Sequence, residues 1–174
     1  MLTLALLRHA KSSWDADGMP DFDRDLAPRG LEAAPRMGAE IARIGFSPDL
    51  VLCSSALRAR RTLDLALPFV TPPPRAILHE EQLYMASGAQ LLQRIGEIPG
   101  DVRSVLMVGH NPGFHEFSVA LIGELAPGTE RAAKSKFPTC ALAIYTFATD
   151  RWTDVGPRKG RVVHFVTPRA LSGG

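Results

Sequence analysis

The chain has 174 residues, a formal net charge of +2, 45% hydrophobic residues and 22% charged residues. This length suits one domain with a single core, and the composition argues against disordered and fibrous classes. So small a net charge, without a run of basic residues, predicts no binding to nucleic acid. No apolar stretch is long enough to span a bilayer, and the opening MLTLALL lacks the basic region of a signal peptide. We therefore expect no membrane association and a cytoplasmic location.

Short apolar runs alternate with amphipathic stretches in the first half of the chain. Residues 3–7 predict a strand and residues 15–29 predict a polar loop. A helix is expected from Pro28, which suits a first helical turn, to a stop at Gly45. The next predicted elements are a strand over 50–53, a helix capped by Ser54 or Ser55 and running to about 67, an edge strand over 76–78, and a helix from 87 or 88 to about 99.

The second half begins with a strand over 104–108 that runs into Gly109-His110-Asn111-Pro112-Gly113. A helix over 114–122 and strands over 141–147, 152–155 and 162–166 complete the prediction, and the short turns among them favour partly antiparallel pairing. The alternation predicts a single α/β domain over residues 1–174. Its expected architecture is a three-layer sandwich, in which helices cover both faces of a mainly parallel central sheet.

Polar residues follow three of the predicted strands at their carboxyl ends. Arg8 and His9 follow the first strand, Arg58 lies shortly after the second, and His110 follows the strand over 104–108. Ligands bind at this edge of parallel sheets, so we expect these side chains to meet there. Two guanidinium groups and two imidazoles suit a tetrahedral oxyanion such as phosphate.

Such a site can cleave a phosphoryl group without a metal or another cofactor. One neutral imidazole nitrogen attacks phosphorus in line, and water then cleaves the covalent phosphohistidine. The second ring nitrogen must be held by an acceptor, such as a main-chain carbonyl, for the correct tautomer to attack.

Four blocks of the sequence resemble the histidine phosphatase superfamily, which contains the cofactor-dependent phosphoglycerate mutases. Arg8-His9-Ala10 is similar to its Arg-His-Gly/Ala signature. The blocks LLRHAKSSW, DFDRDLAPRG, DLVLCSSALRARRTL and VLMVGHNPG, in this order, resemble the short SixA-type branch of phosphohistidine phosphatases. The resemblance covers residues 4–113 and implies a phosphoglycerate mutase-like fold.

The resemblance implies roles for individual residues. His9 matches the nucleophile, Arg8 and Arg58 match the phosphate-binding arginines, and His110 matches the second histidine, which contacts the phosphoryl oxygens. These four residues form the expected oxyanion site.

Further site residues rest on a looser resemblance. Glu81 matches the proton donor of the mutases, with Glu80 as the alternative. Lys11, Ser12 and Asn111 are further candidates for phosphate binding; for Lys11 and Ser12, an exposed loop position without function is an equal alternative.

Metal and thiol chemistry are poorly supported by the spacing. His110 and His115 are five positions apart, whereas two ligands on one helical face lie three or four apart, which argues against zinc. Cys53 and Cys140 are expected to be reduced core thiols. Four residues separate Cys53 from Arg58, one fewer than in the cysteine phosphatase loop, and no glycine shapes the segment. We therefore reject a cysteine nucleophile.

Together, these features predict a metal-independent phosphatase that acts on phosphohistidine in a signalling or phosphotransfer protein. The alternatives are a small-molecule phosphomonoesterase that uses the same site and a non-catalytic phosphate-binding module. The segment between residues 78 and 87 is too short for the insertion that roofs the pocket in the mutases. The resemblance thus implies an open pocket, suited to a phosphorylated side chain on a protein surface.

Overall fold

Seven strands form one sheet in the computed structural model, which describes residues 1–14 and 17–172. The strands are β1 (Leu2–Arg8), β2 (Leu50–Ser54), β3 (Ala76–Glu80), β4 (Ser104–Gly109), β5 (Ile122–Leu125), β6 (Leu142–Phe147) and β7 (Gly160–Val166). Their order across the sheet is β3-β2-β4-β1-β6-β7-β5. Only β6 runs antiparallel to its neighbours β1 and β7; the other neighbouring pairs are parallel. The predicted mainly parallel sheet, antiparallel in its C-terminal part, is confirmed.

Helices cover both faces of this sheet. They are α1 (Pro28–Ile44), α2 (Leu57–Ala66), α3 (Gly88–Gly96), α4 (Gly113–Leu121) and α5 (Pro168–Ser172). Side chains of a strand point alternately to its two faces. Leu2, Leu4 and Leu6 of β1 accordingly pack in a core with α3 and α4, whereas Ala5 and Leu7 pack in a second core with α1 and α2. The predicted three-layer architecture is therefore confirmed.

The ends of α1 follow the signals in the sequence. Pro28 occupies the first turn, and Gly45 ends the helix in the left-handed region at φ 79°. A residue with a side chain adopts that conformation poorly, so glycine suits the stop. Both predicted ends of this helix are confirmed.

The predicted serine cap of α2 is wrong. Ala56 is the N-cap residue, and no side chain caps the helix. Ser54 instead ends β2, where its hydroxyl accepts the Ala56 amide at 3.3 Å and lies 2.7 Å from a ring nitrogen of His110. The Ser54 hydroxyl thus contacts His110 and does not cap α2.

Other differences concern short segments. Residues 152–155 do not form the predicted strand, because Trp152–Asp154 is a 3-10 helix. The indole N–H of Trp152 donates to the Val102 carbonyl at 2.7 Å. The helix predicted over 114–122 ends at Leu121, and Ile122–Leu125 is β5. Short apolar runs fit either class of element, so periodicity alone cannot assign them.

The segment after β1 agrees with the prediction of a polar loop. It contains one 3-10 helix, Asp21–Asp23, and residues 15 and 16 of the predicted loop lie outside the described residues. In the part of the chain that the structure describes, no helix combines the length and the apolar character needed to cross a membrane.

Gly30 permits the first turn of α1 to lie against the loop that follows β1. A Cβ atom at Gly30 would be 2.2 Å from the carbonyl oxygen of Lys11, a backbone atom that cannot move aside alone. We expect Gly30→Ala to lower the free energy of unfolding by about 1–3 kcal/mol, measured by urea denaturation. Gly96→Ala is the matched control, because its Cβ meets no atom within 4 Å; it should leave stability unchanged or raise it. Equal stability of the two variants would contradict this reading of the contact.

Candidate active site

The register between β1 and β4 brings the two predicted site histidines together. Arg8 lies opposite Gly109 in this parallel pair, so His9 and His110 each follow their strand by one residue. The amide of His9 donates to the Gly109 carbonyl at 3.0 Å, and the centroids of the two imidazole rings are 5.1 Å apart. Both histidines are buried.

The His9 ring is held in one tautomer. Its Nδ1 atom lies 2.7 Å from the carbonyl oxygen of Ala10. A carbonyl only accepts, so Nδ1 carries the proton and Nε2 keeps a free lone pair. The Ala10 amide donates to Thr62 Oγ1 at 2.9 Å, and the Cys140 amide donates to the His9 carbonyl at 3.0 Å. These bonds fix the backbone on both sides of the ring.

Only one of the two ring nitrogens of His110 has a hydrogen-bond partner in the described chain. Its Nε2 atom lies 2.7 Å from Ser54 Oγ, whereas its Nδ1 atom is buried without a partner in the described chain. If the serine hydroxyl donates to Nε2, Nδ1 carries a proton that has no acceptor.

Arg8 and Arg58, the two predicted arginines, each have at least one guanidinium nitrogen that donates to the described chain and one that does not. Arg8 Nη1 donates to the Phe137 carbonyl at 3.0 Å. Arg58 donates from Nη1 to the Asp21 carbonyl at 2.6 Å and from Nη2 to Asp21 Oδ2 at 2.9 Å. The Nε atoms of both arginines are buried without a partner in the described residues. Each guanidinium is therefore positioned by the protein and retains an unpaired donor.

Asp21 and Tyr84 belong to this cluster, and the sequence analysis missed both. The Tyr84 hydroxyl donates to Asp21 Oδ2, and the Tyr84 ring meets the His110 ring edge-on at 5.4 Å. The bonds from Tyr84 and Arg58 lower the pKa of Asp21 to about 2. Asp21 lies in the matched block DFDRDLAPRG, which was the available signal, but nothing in that block distinguished it from Asp23 or Asp25.

Both imidazoles are neutral in this environment. Burial lowers the pKa of His9 well below its ordinary value, and the positive charges of Arg58 and Arg8 act in the same direction. Burial, followed by the charge of Arg58, lowers the pKa of His110 to about 3. A neutral ring is the form that can act as a nucleophile.

Glu81 and Glu80, the two predicted proton donors, form no hydrogen bond or ion pair with the described histidines and arginines of the site. Glu81 is exposed at the start of the 3-10 helix Glu81–Leu83 and makes no side-chain hydrogen bond or ion pair within the described residues. Glu80 forms an ion pair with Arg94 at 2.7 Å. Burial raises the pKa of Glu80, but the hydrogen bonds from Arg94 and Gln82 outweigh burial and lower it. Glu80 is therefore ionised and already paired.

The three further candidates for phosphate binding have different surroundings. Lys11 is exposed and lines a groove beside the cluster. Ser12 Oγ accepts from Arg24 at 2.8 Å. The side-chain amide of Asn111 donates to the Lys136 carbonyl at 2.8 Å, so it holds a loop in place.

The thiols are inert. Cys53 and Cys140 are both buried and unbridged, as predicted, and burial raises the pKa of each to about 12. A thiol of that pKa is protonated at neutral pH and is a poor nucleophile. Among the described residues, no group of three His, Cys, Asp or Glu side chains is placed to hold a metal ion.

Comparisons with known proteins agree with this arrangement. The sequence profile of the histidine phosphatase superfamily (branch 1) matches residues 4–83. SixA of Agrobacterium tumefaciens, a candidate phosphohistidine phosphatase of known structure, is 32% identical over 96% of this chain and 98% of its own, with a TM-score of 0.80. The chain belongs to the histidine phosphatase superfamily, in its SixA-type branch.

Two further proteins match along nearly the whole chain. An uncharacterized protein of Mycobacterium tuberculosis is 37% identical over 94% of this chain and 100% of its own length. A structure of the protein histidine phosphatase SixA complexed with tungstate has the same fold, with a TM-score of 0.76, 21% identity, and coverage of 98% of this chain and 99% of that one.

The protonation states of His9 and His110 can be measured directly. We expect ¹⁵N NMR at about pH 5.5 to show neutral His9 and His110 rings, with the His9 proton on Nδ1. The pKa values of both histidines are lower in the folded protein than in the unfolded chain. Below about pH 6.5 the unfolded chain therefore binds protons that the folded protein does not, so the free energy of unfolding decreases as the pH falls. The urea midpoint should therefore be lower at about pH 5.5 than at pH 7. A His9 midpoint near the unperturbed pKa would contradict the assignment.

Proposed function

We propose that the protein is a phosphatase that cleaves phosphohistidine in a protein substrate through a covalent phosphoenzyme on His9. Membership of the histidine phosphatase superfamily supports the phosphatase activity. The chemistry of the described site supports the nucleophile and the class of leaving group.

The unpaired buried donors around His9 carry this proposal. Arg8 Nε, Arg58 Nε and His110 Nδ1 are all buried and lack a partner in the described chain. Leaving a buried donor unsatisfied costs roughly 1–3 kcal/mol, and more for charged groups. Two arginine donors, and a third from His110 when Ser54 donates to its Nε2 atom, surround one imidazole and are best explained by a ligand with several acceptor oxygens. A phosphoryl group has the required number, shape and charge.

The bound phosphoryl group would react in two steps. In the first step, the lone pair of His9 Nε2 attacks phosphorus, an N–P bond forms, and the bond to the leaving group breaks. In the second step, water attacks phosphorus, the N–P bond breaks, and inorganic phosphate leaves with neutral His9 restored. The guanidinium groups of Arg8 and Arg58 neutralise the oxygens throughout.

The state of the nearby carboxyl groups favours phosphohistidine over an alkyl phosphate. Asp21, with a pKa of about 2, and Glu80, paired with Arg94, are both ionised and cannot donate a proton at neutral pH, and the side chain of Glu81 is exposed and makes no hydrogen bond to the described cluster. An alkoxide leaving group needs such a donor. A protonated phosphoimidazole already carries its proton and leaves as neutral imidazole. The substrate that needs least acid assistance therefore fits this site best.

The short connection above the site suits a protein substrate. Only residues 81–87 join β3 to α3, and they contain a single 3-10 turn, Glu81–Leu83. This segment offers no large covering element, so a phosphorylated side chain on a folded partner would have access.

The role of His9 can be tested by trapping the intermediate. Rapid acid-free quenching of the wild-type protein with ³²P-labelled substrate should give a base-stable, acid-labile adduct on His9. His9→Ala should abolish the adduct and lower turnover at least about a thousandfold, since the other imidazole of the cluster, His110, has its Nε2 atom engaged by Ser54. His79→Ala, a histidine on an exposed edge strand, is the matched control and should retain both. An adduct that persists in His9→Ala would exclude His9 as the nucleophile.

Leaving-group dependence tests the proposed substrate class. We compare a phosphohistidine peptide, p-nitrophenyl phosphate and a phosphoserine peptide, with and without chelator. The first two have good leaving groups and should react at least about a hundredfold faster than the alkyl phosphate. Comparable rates for phosphoserine would favour a general phosphomonoesterase. No turnover of any substrate, with phosphate still bound, would favour a binding module.

A further inference from the structure

A basic groove lies beside the active site and plays no part in the chemistry described so far. It has a volume of about 490 Å³ and lies between α1, α5 and the loop after β1. Four cationic side chains, Lys11, Arg29, Arg36 and Arg169, line it together with one carboxylate, Glu32. Its lining carries a net of three positive charges, whereas the whole chain carries +2. The excess positive charge of the protein is thus concentrated here.

The cations of the groove are not neutralised by the protein. Within the described residues, none of the four takes part in an ion pair. Glu32 lies four positions before Arg36 on α1, a spacing that favours a helical salt bridge, yet the two do not pair. Arg36 Nη1 instead donates to the Ser172 hydroxyl at 3.0 Å. The guanidinium groups therefore remain available to an external anion.

The groove adjoins the main chain that carries the nucleophile. Cys140, one of its lining residues, donates its amide to the carbonyl oxygens of Arg8 at 3.1 Å and His9 at 3.0 Å. Lys11, another lining residue, is two positions beyond His9. The groove therefore borders the main chain that carries the His9 ring, and a ligand in it would lie against that main chain.

The spacing of the charges indicates an extended ligand. Arg29 and Arg36 are seven residues apart on one helix, about 10 Å along its axis, so the positive charges are distributed along the groove. As far as the described residues show, the lining has no aromatic side chain on which a nucleobase could stack. Several carboxylates distributed along a polypeptide match this spacing and charge.

We propose that the groove between α1 and α5 binds an acidic segment of the phosphoprotein, next to the phosphorylated side chain that enters the active site. This inference rests on the proposed function, and it adds a substrate preference: acidic residues flank the phosphohistidine. The attraction is between exposed charges, so added salt weakens it.

The test uses two fluorescent phosphohistidine peptides of equal length, one flanked by glutamates and one by glutamines. Binding is measured by anisotropy in the His9→Ala background, in which turnover does not interfere. We expect the glutamate peptide to bind about tenfold more tightly at low salt, and the difference to disappear with Arg36→Glu/Arg169→Glu. Lys159→Glu/Arg161→Glu, one residue before β7 and one within it, makes the same change in net charge and should keep the difference. If the reversed pair lowers the melting temperature, Arg36→Gln/Arg169→Gln replaces it.

Equal affinity for the two peptides, or a difference that survives in the groove variant, would overturn the proposal. Turnover of both peptides is measured in parallel with His9 intact, together with p-nitrophenyl phosphate, whose kcat/KM should not change in the groove variant. Loss of turnover for every substrate in the wild type would refute the proposed function alone. The difference in affinity between the glutamate and glutamine peptides would still show whether the groove binds an acidic segment.

Discussion

The parallel register between β1 and β4 is the constraint on which the rest of the site depends. Because Arg8 is opposite Gly109, the two strands end at the same level and each delivers a histidine one residue later. A slip of one residue would point every side chain of β1 to the other face of the sheet. One face packs Leu2, Leu4 and Leu6 in one core and the other packs the smaller Ala5 together with Leu7 in a second core, so a slip would exchange side chains of different size between the cores. The hydrophobic pattern of one strand therefore positions His9, the proposed nucleophile.

Once the backbone is fixed, hydrogen bonds determine which atoms remain reactive. The Ala10 carbonyl occupies His9 Nδ1, and Ser54 occupies His110 Nε2. In each ring the opposite nitrogen remains free, one with a lone pair and the other with a proton when Ser54 donates. The same division holds for the arginines: Nη1 of Arg8 and both terminal nitrogens of Arg58 are anchored, while Nε of each is unpaired in the described residues. The donors of the proposed anion site are thus already oriented by the protein, which would reduce reorganisation during the proposed reaction.

The sequence predicted the parts of this site that directly follow strands. Arg8, His9 and His110 could be placed because a strand end is recognisable from an apolar run and parallel strands end together. Arg58 needed the resemblance as well, since one arginine in a helix is not distinctive. Asp21 and Tyr84 could not be found, because they come from a loop and a 3-10 turn whose approach depends on tertiary packing. The 3-10 helix at Trp152 and the strand β5 were missed for a related reason: their short apolar runs fit more than one element.

Asp21 links the positioning of Arg58 to the choice of substrate. It engages both terminal nitrogens of Arg58 and accepts from Tyr84, so it orients the guanidinium and leaves Nε as the unpaired donor. The same bonds hold its pKa at about 2, so this carboxylate is ionised at neutral pH. A group that orients an arginine through its negative charge cannot also serve as a proton donor in the free protein. Asp21 therefore supplies no proton to a leaving group, which agrees with the phosphorylated imidazole that we propose as the substrate.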